Sequence, residues 1–262
     1  MQIDLEGKNA LVCGSTQGIG KASAIALAGA GANVTLVARN QERLEKAKNE
    51  LDTSKGQKHG CVVADFFDPD GLAGAIEQEL KSGKVFHILI NNSGGPPGGQ
   101  IFPAKIEEFE TAFTQHLKCN HILAQSIVPG MKESGYGRII NIISTSVKQP
   151  LDGLGVSNTI RGAVASWSKT MANELGQFGI TVNNILPGAT ATERLASIIR
   201  NKADRLGQTV DEVSEKMKAG IPAGRFAEAT EIASAVLFLA SELASYVNGI
   251  NLPVDGGRTK SL

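Results

Sequence analysis

Short apolar runs alternate along the chain with longer segments whose apolar residues recur every three or four positions. The run Asn9–Cys13 enters a stretch of glycines, as a buried strand does before a tight turn. Gln41–Leu51 instead has apolar residues at Leu44, Ala47 and Leu51, a spacing that predicts an amphipathic helix. The alternation predicts strands at 9–13, 33–38, 58–64, 88–91, 137–143, 180–186 and 250–254, and helices at 18–29, 41–51, 69–81, 106–115, 117–131, 157–176 and 230–240.

The predicted strands are apolar almost throughout, which indicates that both faces of their sheet are covered. Such strands are typical of a parallel sheet with helices on each side, in the α/β class. No Ser- or Pro-rich linker interrupts the alternation, so a single domain is predicted over residues 1–262. One segment differs: residues 192–224 are polar, helical in pattern and placed after a Pro-Gly pair. This segment is either a mobile lid over a site or a surface helix pair.

Charge and composition narrow the classes of function. Lys plus Arg and Asp plus Glu each number 26, and this neutral balance argues against a nucleic-acid partner. No run of about 18 apolar residues is present and the N-terminus lacks a signal peptide's apolar region, so no membrane association is expected. The three cysteines form no Cys-x-x-Cys pair, and His59, His87 and His121 have no paired ligand spacing. We expect a cytoplasmic protein without a metal site.

A glycine-rich stretch joins the first predicted strand to the first predicted helix. Glycines there permit a tight turn and a close approach of the backbone to a pyrophosphate, and the helix N-terminus supplies free N–H groups. The spacing G-x3-G-x-G differs from the more common G-x-G-x-x-G. The residues predicted to bind the cofactor here are Gly14, Ser15, Thr16, Gln17, Gly18, Ile19 and Gly20.

The end of the second predicted strand indicates which dinucleotide the chain prefers. A site for NAD normally carries an acid there for the ribose 2′-hydroxyl, whereas an Arg accommodates the 2′-phosphate of NADP. Ala38 stands at the expected acid position, and Arg39 and Asn40 follow it. The sequence therefore favours NADP(H) over NAD(H) as the cofactor.

Several motifs together resemble those of a known family. The glycine loop is similar to the TGxxxGIG motif of the short-chain dehydrogenase/reductase family, with Cys13 in place of its Thr. The stretch NNSG at 91–94 resembles the family's NNAG, with Ser93 in place of Ala. The resemblance covers about residues 5–258, and its remaining matches are PGxxxT at Pro187, Gly188 and Thr192 and the final VDGG at 254–257.

The resemblance implies a Rossmann-type doubly wound parallel sheet that binds a nicotinamide dinucleotide. It implies that Asp65 lies near the adenine ring. Further cofactor contacts are expected from Asn92, Ser93 and Gly94 at the end of the fourth strand, and from Pro187, Gly188 and Thr192 at the nicotinamide end. The family also implies a homodimer or homotetramer that assembles through the helices near 117–131 and 157–176.

The family's usual chemistry transfers a hydride between nicotinamide and a carbonyl or alcohol. Its Ser holds the substrate oxygen, its Tyr exchanges the proton, its Lys lowers the Tyr pKa and binds the ribose, and its Asn supports a water relay. Ser144 matches the Ser, but the corresponding positions hold His116 for Asn, Ser157 for Tyr and Arg161 for Lys. A serine is a far weaker acid than a phenol, and an arginine binds anions and hydroxyls without losing its proton.

Three interpretations of this altered set remain open. In the first, the chain is an NADP(H)-dependent oxidoreductase for a small-molecule carbonyl or alcohol. Ser144 and Ser157 then orient the substrate, Arg161 holds the ribose or stabilises an oxyanion, and His116 or water supplies the proton. In the second, Lys148, Arg161 and His116 form a positive pocket for an anionic or polarised substrate. In the third, the chemistry is lost and the chain binds NADP(H) as a sensor or a structural subunit.

Overall fold

The computed structural model describes residues 3–261 and arranges seven strands among them in one sheet. In chain order the strands are β1 (Asn9–Cys13), β2 (Asn33–Ala38), β3 (Gly60–Val63), β4 (Ile88–Asn91), β5 (Gly137–Ile142), β6 (Ile180–Pro187) and β7 (Asn251–Val254). Their order across the sheet is β3-β2-β1-β4-β5-β6-β7, and all neighbours pair in parallel. The direction of winding reverses between β1 and β4, the position at which such sheets bind ligands.

Helices cover both faces of this sheet. They are α1 (Gly18–Gly29), α2 (Gln41–Lys48), α3 (Pro69–Leu80), α4 (Ile106–Phe113), α5 (Cys119–Ser134), α6 (Gly155–Leu175), α7 (Glu193–Leu206), α8 (Val210–Ala219) and α9 (Ala229–Ala240). Alternate residues of β1 point to opposite faces: Ala10 and Val12 pack with α1, α2 and α9, whereas Leu11 and Cys13 pack with α3, α5 and α6. The predicted single-domain, doubly wound α/β fold is confirmed.

The helices predicted at 106–115 and 117–131 are present as α4 and α5, with bounds that differ by up to three residues and with no loop between them. The chain runs from α4 through a π-helical turn at Thr114–Lys118 directly into α5. A π turn adds a residue to the local helical repeat, so the apolar positions change phase although the helix continues. Other predicted boundaries differ by up to three residues, as at β3, which covers Gly60–Val63 and not 58–64.

A row of asparagine side chains crosses the buried middle of the sheet. Asn91 Nδ2 donates to Asn141 Oδ1 over 2.8 Å, and Asn141 Nδ2 donates to Asn184 Oδ1 over 2.9 Å. The Nδ2 of Asn184 then donates to Asn251 Oδ1 over 2.8 Å. This ladder links β4, β5, β6 and β7 and pairs polar groups that would be costly to bury alone, whereas Asn91 Oδ1 is buried without a partner among residues 3–261. The sequence analysis did not anticipate it.

Candidate active site

The glycine loop between β1 and α1 is packed tightly against the end of β4. Gly14 has φ +57°, and a Cβ there would lie 2.6 Å from the Asn92 carbonyl oxygen. A Cβ on Gly20 would overlap the Gly14 carbonyl oxygen, so side chains are excluded from this turn. Asn92 Nδ2 donates to the carbonyl oxygens of Cys13 and Gly14, each over 3.2 Å. The loop therefore presents backbone to an approaching ligand, as a pyrophosphate cradle requires.

The N-terminus of α1 is open to an anion. The helix has no side-chain cap at Gln17 and no acidic residue in its first turn. Gln17 is exposed, Thr16 and Ile19 are half-buried, and Ser15 is buried with its Oγ 3.4 Å from the Val37 carbonyl oxygen. Within the described residues, no side chain of this turn therefore neutralises the partial positive charge at the N-terminus of α1.

Arg39 stands at the end of β2 beside the acid predicted to meet the adenine ring. Its Nη1 is 3.9 Å from Asp65 Oδ2, and its side chain is 67% exposed. The guanidinium also lies 5.9 Å from the centre of the Phe67 ring. Asn40 has a structural role here, because its Oδ1 accepts from the Arg43 backbone N–H and caps α2. Because the ion pair with Asp65 is exposed, it is weak, and Arg39 can still bind a phosphate.

His116 lies in the π-helical turn and is buried against Ser93. Its Nδ1 is 2.7 Å from Ser93 Oγ, and its buried Nε2 has no hydrogen-bond partner among the described residues. Burial, with smaller contributions from the charges of Arg161 and Arg194, lowers the pKa of His116 from 6.5 to about 2. The imidazole is therefore neutral at physiological pH.

Ser144, Ser157 and Arg161 lie where β5 ends and α6 begins. Ser144 Oγ accepts from the Ser146 backbone N–H over 3.1 Å. Ser157 is half-buried, and Arg161 follows it four residues later on α6, on the same side of the helix. Arg161 is buried, and its Nη1 donates to the Ile142 carbonyl oxygen over 3.1 Å, two residues before Ser144. The structure thus places Arg161 beside the strand end that carries Ser144.

The glycine- and proline-rich loop at 94–99 is fixed to the start of α6. The Gly99 N–H donates to the Gly153 carbonyl oxygen over 2.8 Å, and the Gly155 N–H donates to the Gly99 carbonyl oxygen over 3.0 Å. A Cβ on Gly155 would lie 2.5 Å from Ile101 Cβ, which shows how closely this loop approaches the helix. The loop therefore borders the region of Ser157.

Arg194 is a site residue that the sequence analysis missed. It lies in the first turn of α7, and its Nη2 donates to the Pro96 carbonyl oxygen in the loop after β4. Burial lowers the pKa of both Arg161 and His116, and the positive charge of Arg194 adds a smaller contribution to each. The only sequence signal was its position two residues after Thr192, within the helical segment predicted as a lid or a surface pair.

Comparisons with known proteins identify the family of the chain. Residues 14–259 match the family model adh_short_C2, described as enoyl-(acyl carrier protein) reductase. The chain belongs to the short-chain dehydrogenase/reductase family. Among its relatives, the NADPH-dependent reductase BacG of Bacillus subtilis (strain 168) is 31% identical over 97% of this chain and 99% of its own. The gluconate 5-dehydrogenase of Gluconobacter oxydans (strain 621H) is 30% identical over 98% of this chain and 97% of its own.

A solved structure of the family superposes on almost the whole chain. L-Sorbose reductase from Gluconobacter frateurii, complexed with NADPH and L-sorbose, matches with a TM-score of 0.93 and 32% identity, and both chains are covered fully at 100%. These relatives are named for an acid in one case and a neutral sugar in another. Similarity therefore establishes the family and an oxidoreductase function, while the substrate must be argued from the site.

The family's PGxxxT motif connects the sheet to the segment at 192–224. The Gly188 N–H donates to the Val254 carbonyl oxygen over 2.9 Å, and Thr192 Oγ1 accepts from the Leu195 N–H at the start of α7. A Cβ on Gly18 would lie 3.2 Å from Thr192 Cγ2, so this motif touches the glycine loop. The two predicted ends of the cofactor site are thereby brought together.

The segment itself folds as the helix pair α7 and α8 with a small core of its own. The residues of that core are Leu195, Ile199, Ala203 and Val213, with Ala189, Met217 and Phe226 packed against them.

No helix in residues 3–261 has the length and hydropathy to cross a membrane. Over the same residues, no group of three or more His, Cys, Asp or Glu side chains is placed to hold a metal ion.

Proposed function

We propose that the chain is an NADP(H)-dependent oxidoreductase that interconverts a carbonyl and an alcohol on a small molecule. The observation that carries the proposal is the backbone cradle at the α1 N-terminus, with Arg39 where an NAD site would carry an acid. BacG is NADPH-dependent by name, and the sorbose reductase was solved with NADPH. The named relatives are reductases and a dehydrogenase, which favours the enzymatic interpretation over the non-catalytic one.

Several residues would hold the cofactor in this proposal. The loop 14–20 would receive the diphosphate, because it offers backbone N–H groups and no side-chain bulk at Gly14 and Gly20. Arg39 would bind the 2′-phosphate, and Asp65 would border the adenine. The remaining ribose and the nicotinamide would be surrounded by Asn92, Ser93, Gly94, Pro187, Gly188 and Thr192. When bound, the reduced nicotinamide supplies the hydride.

The groups that act on the substrate differ from those usual in the family. We align His116, Ser157 and Arg161 with the family's Asn, Tyr and Lys. Ser144 and Ser157 then orient the carbonyl oxygen by hydrogen bonds. Arg161 stabilises the negative charge that develops on this oxygen, because a buried guanidinium interacts strongly with an oxyanion.

The proton that completes the alcohol comes from water in this proposal. A neutral imidazole is a poor acid, so the lowered pKa of His116 removes the reason for assigning the proton to it. His116 instead holds Ser93 in place at the end of β4 through its 2.7 Å contact. Ser157 remains too weak an acid to replace a phenol.

The proposal is tested by NADPH consumption with a panel of ketones and aldehydes. Ser144→Ala is expected to lower kcat/KM by about 100-fold, the order found when one oxyanion donor is removed. Ser146→Ala deletes a neighbouring hydroxyl that has no hydrogen-bond partner among the described residues, and is expected to remain within about 2-fold of the parent. Unchanged turnover in Ser144→Ala would refute the role of Ser144.

A further inference from the structure

The two buried arginines of residues 3–261 have opposite surroundings. Arg138 is saturated: it donates to the carbonyl oxygens of Gly137, Gly179 and Ser241 and pairs with Glu242 at 3.2 Å. Arg161 donates only to the Ile142 carbonyl oxygen and has no acidic partner in that part of the chain. Of the five N–H bonds of the Arg161 guanidinium, four have no acceptor among residues 3–261. Its nitrogens are not among the fully buried unpaired atoms, so these donors remain available to a ligand.

Arg194 places a second cation in the loop that follows β4, the strand that pairs with β5. Its guanidinium is exposed and lies along Gly95 and Pro96, and within residues 3–261 it forms no ion pair. The adjacent acid does not neutralise it, because Glu193 pairs with Arg200 at 2.7 Å. A ligand can thus reach Arg194 from solvent at the end of β4, which pairs with β5, the strand to which Arg161 is bonded.

The other side chains assigned to this region, those of His116, Ser144 and Ser157, are uncharged. The side chain of His116 is 1% exposed, and its Nε2 has no hydrogen-bond partner among the described residues. Ser144 and Ser157 contribute hydroxyls, which are uncharged. The region therefore holds two positive charges that form no ion pair with an acidic side chain of residues 3–261, and it retains unused donors.

We propose that Arg194, together with the N–H groups of Arg161 that the oxyanion does not use, binds a carboxylate of the substrate, so that the enzyme acts on oxo acids and the corresponding hydroxy acids. This inference rests on the proposed oxidoreductase function and specifies its substrate class. A planar guanidinium donates two parallel hydrogen bonds to a carboxylate, a geometry that lysine cannot offer. The carboxylate would sit beside the carbonyl that Ser144 orients.

The cofactor's diphosphate is the other anion that could meet these arginines. The cradle for it lies at the α1 N-terminus, after β1. Arg161 is bonded instead to the end of β5, two residues from Ser144. Its position at the reacting end of the site favours the substrate as the source of the anion.

The test measures binding and does not require turnover. Calorimetry with protein saturated by the oxidised cofactor NADP⁺, which cannot reduce a carbonyl, compares pyruvate, acetoacetate and levulinate with their neutral methyl esters. At least one acid is expected to bind 10-fold or more tightly than its ester. Arg194→Met is expected to weaken that acid by about 10- to 100-fold, the range for a charged hydrogen bond, and to leave the ester unchanged. Arg205→Met, near the end of the same helix, is the matched control and is expected to change neither.

Other outcomes separate this inference from the proposed function. Equal binding of all acids and esters would overturn the carboxylate site. A weaker NADPH affinity in Arg194→Met, with unchanged acid binding, would show that Arg194 holds the cofactor and would also overturn it. If NADPH itself does not bind, the proposed function fails, and titration of the acids into the cofactor-free chain decides the carboxylate site alone.

Discussion

At the scale of single residues, Arg39 is the side chain expected to decide which cofactor the chain prefers. Arg39→Ser removes the guanidinium that would pair with a 2′-phosphate. Because a charged hydrogen bond contributes about 1.5–3 kcal/mol, NADPH affinity is expected to fall by about 10- to 100-fold. NADH affinity is expected to change little, as measured by nucleotide fluorescence. Arg43→Ser on α2 is the control, and an equal loss in both variants would contradict the assignment.

The buried imidazole of His116 makes stability depend on pH. Its pKa is about 2 in the folded chain, against the ordinary histidine value of 6.5 in the unfolded chain, so the unfolded state binds more protons between these values. The contribution of His116 to the free energy of unfolding is therefore fully present above about pH 6.5, and it is lost progressively as the pH falls below that value. From pH 7 to pH 5 this single group is expected to cost about 2 kcal/mol of unfolding free energy.

Urea denaturation of the parent and of His116→Asn checks this dependence. The substitution is expected to lower stability at pH 7 by removing the bond to Ser93, and to flatten the loss between pH 7 and pH 5. His87, whose pKa is also lowered by burial and by the charge of Lys8, titrates in both proteins and cancels in the comparison. An identical pH slope in the two proteins would show that His116 is not the responsible group.

Local features of the site could be predicted from sequence, whereas long-range ones could not. The glycine loop and Arg39 follow from the order of strand, turn and helix, which a short stretch of sequence specifies. Arg194 reaches Pro96 across 98 positions of chain, so only the folded structure brings them together. The pKa of His116 likewise depends on burial and on Arg161 and Arg194, and no counting along the chain supplies these.

At the scale of elements, the asparagine ladder is expected to hold four strands in register. Asn141→Leu deletes both of its bonds to the neighbouring strands and leaves Asn91 and Asn184 with unpaired polar atoms. At about 1–3 kcal/mol for each buried unsatisfied group, a loss of about 2–5 kcal/mol is expected from urea unfolding.

The same substitution at the end of the ladder serves as its control. Asn251 is only half-buried on the edge strand β7 and makes one ladder bond, so Asn251→Leu is expected to cost about 1 kcal/mol. Equal losses at positions 141 and 251 would contradict a cooperative ladder. The sequence does not reveal the ladder, because each Asn lies in a strand that the surrounding apolar residues already predict.

The helix pair α7 and α8 is expected to act as a lid. It has its own small core, and Thr192 at its start touches the glycine loop. Hydrogen exchange should therefore be fast over 193–219 in the free chain and should slow when NADPH binds, while α9 stays protected throughout. Exchange over 193–219 that is slow and insensitive to NADPH would instead identify an ordinary surface helix pair.

The π-helical turn shows where a periodic pattern misleads. The two helices predicted on either side of position 116 are continuous through this turn, where the phase of the helical repeat changes. Fold-level prediction was robust, because the alternation of buried strands and helices survives errors of a few residues at their ends.

At the scale of the whole molecule, we expect self-association. Large apolar side chains are exposed on and beside α4, with Phe102 98%, Ile106 68% and Phe113 46% exposed. Light scattering at micromolar concentration is expected to give twice or four times the 27.4 kDa chain mass. Phe113→Glu is expected to shift the population toward monomer, whereas Val210→Glu on α8 should not. A monomeric parent protein would contradict the expectation.

The central claim is that the glycine loop and Arg39 bind NADP(H), and a titration of the purified chain with NADPH and NADH tests it most directly. Nucleotide fluorescence is expected to show NADPH binding at least 10-fold tighter than NADH, from about 1.4 kcal/mol or more contributed by the 2′-phosphate. Equal affinities would contradict the role of Arg39. No binding of either nucleotide would contradict the assignment of the cradle and the oxidoreductase proposal with it.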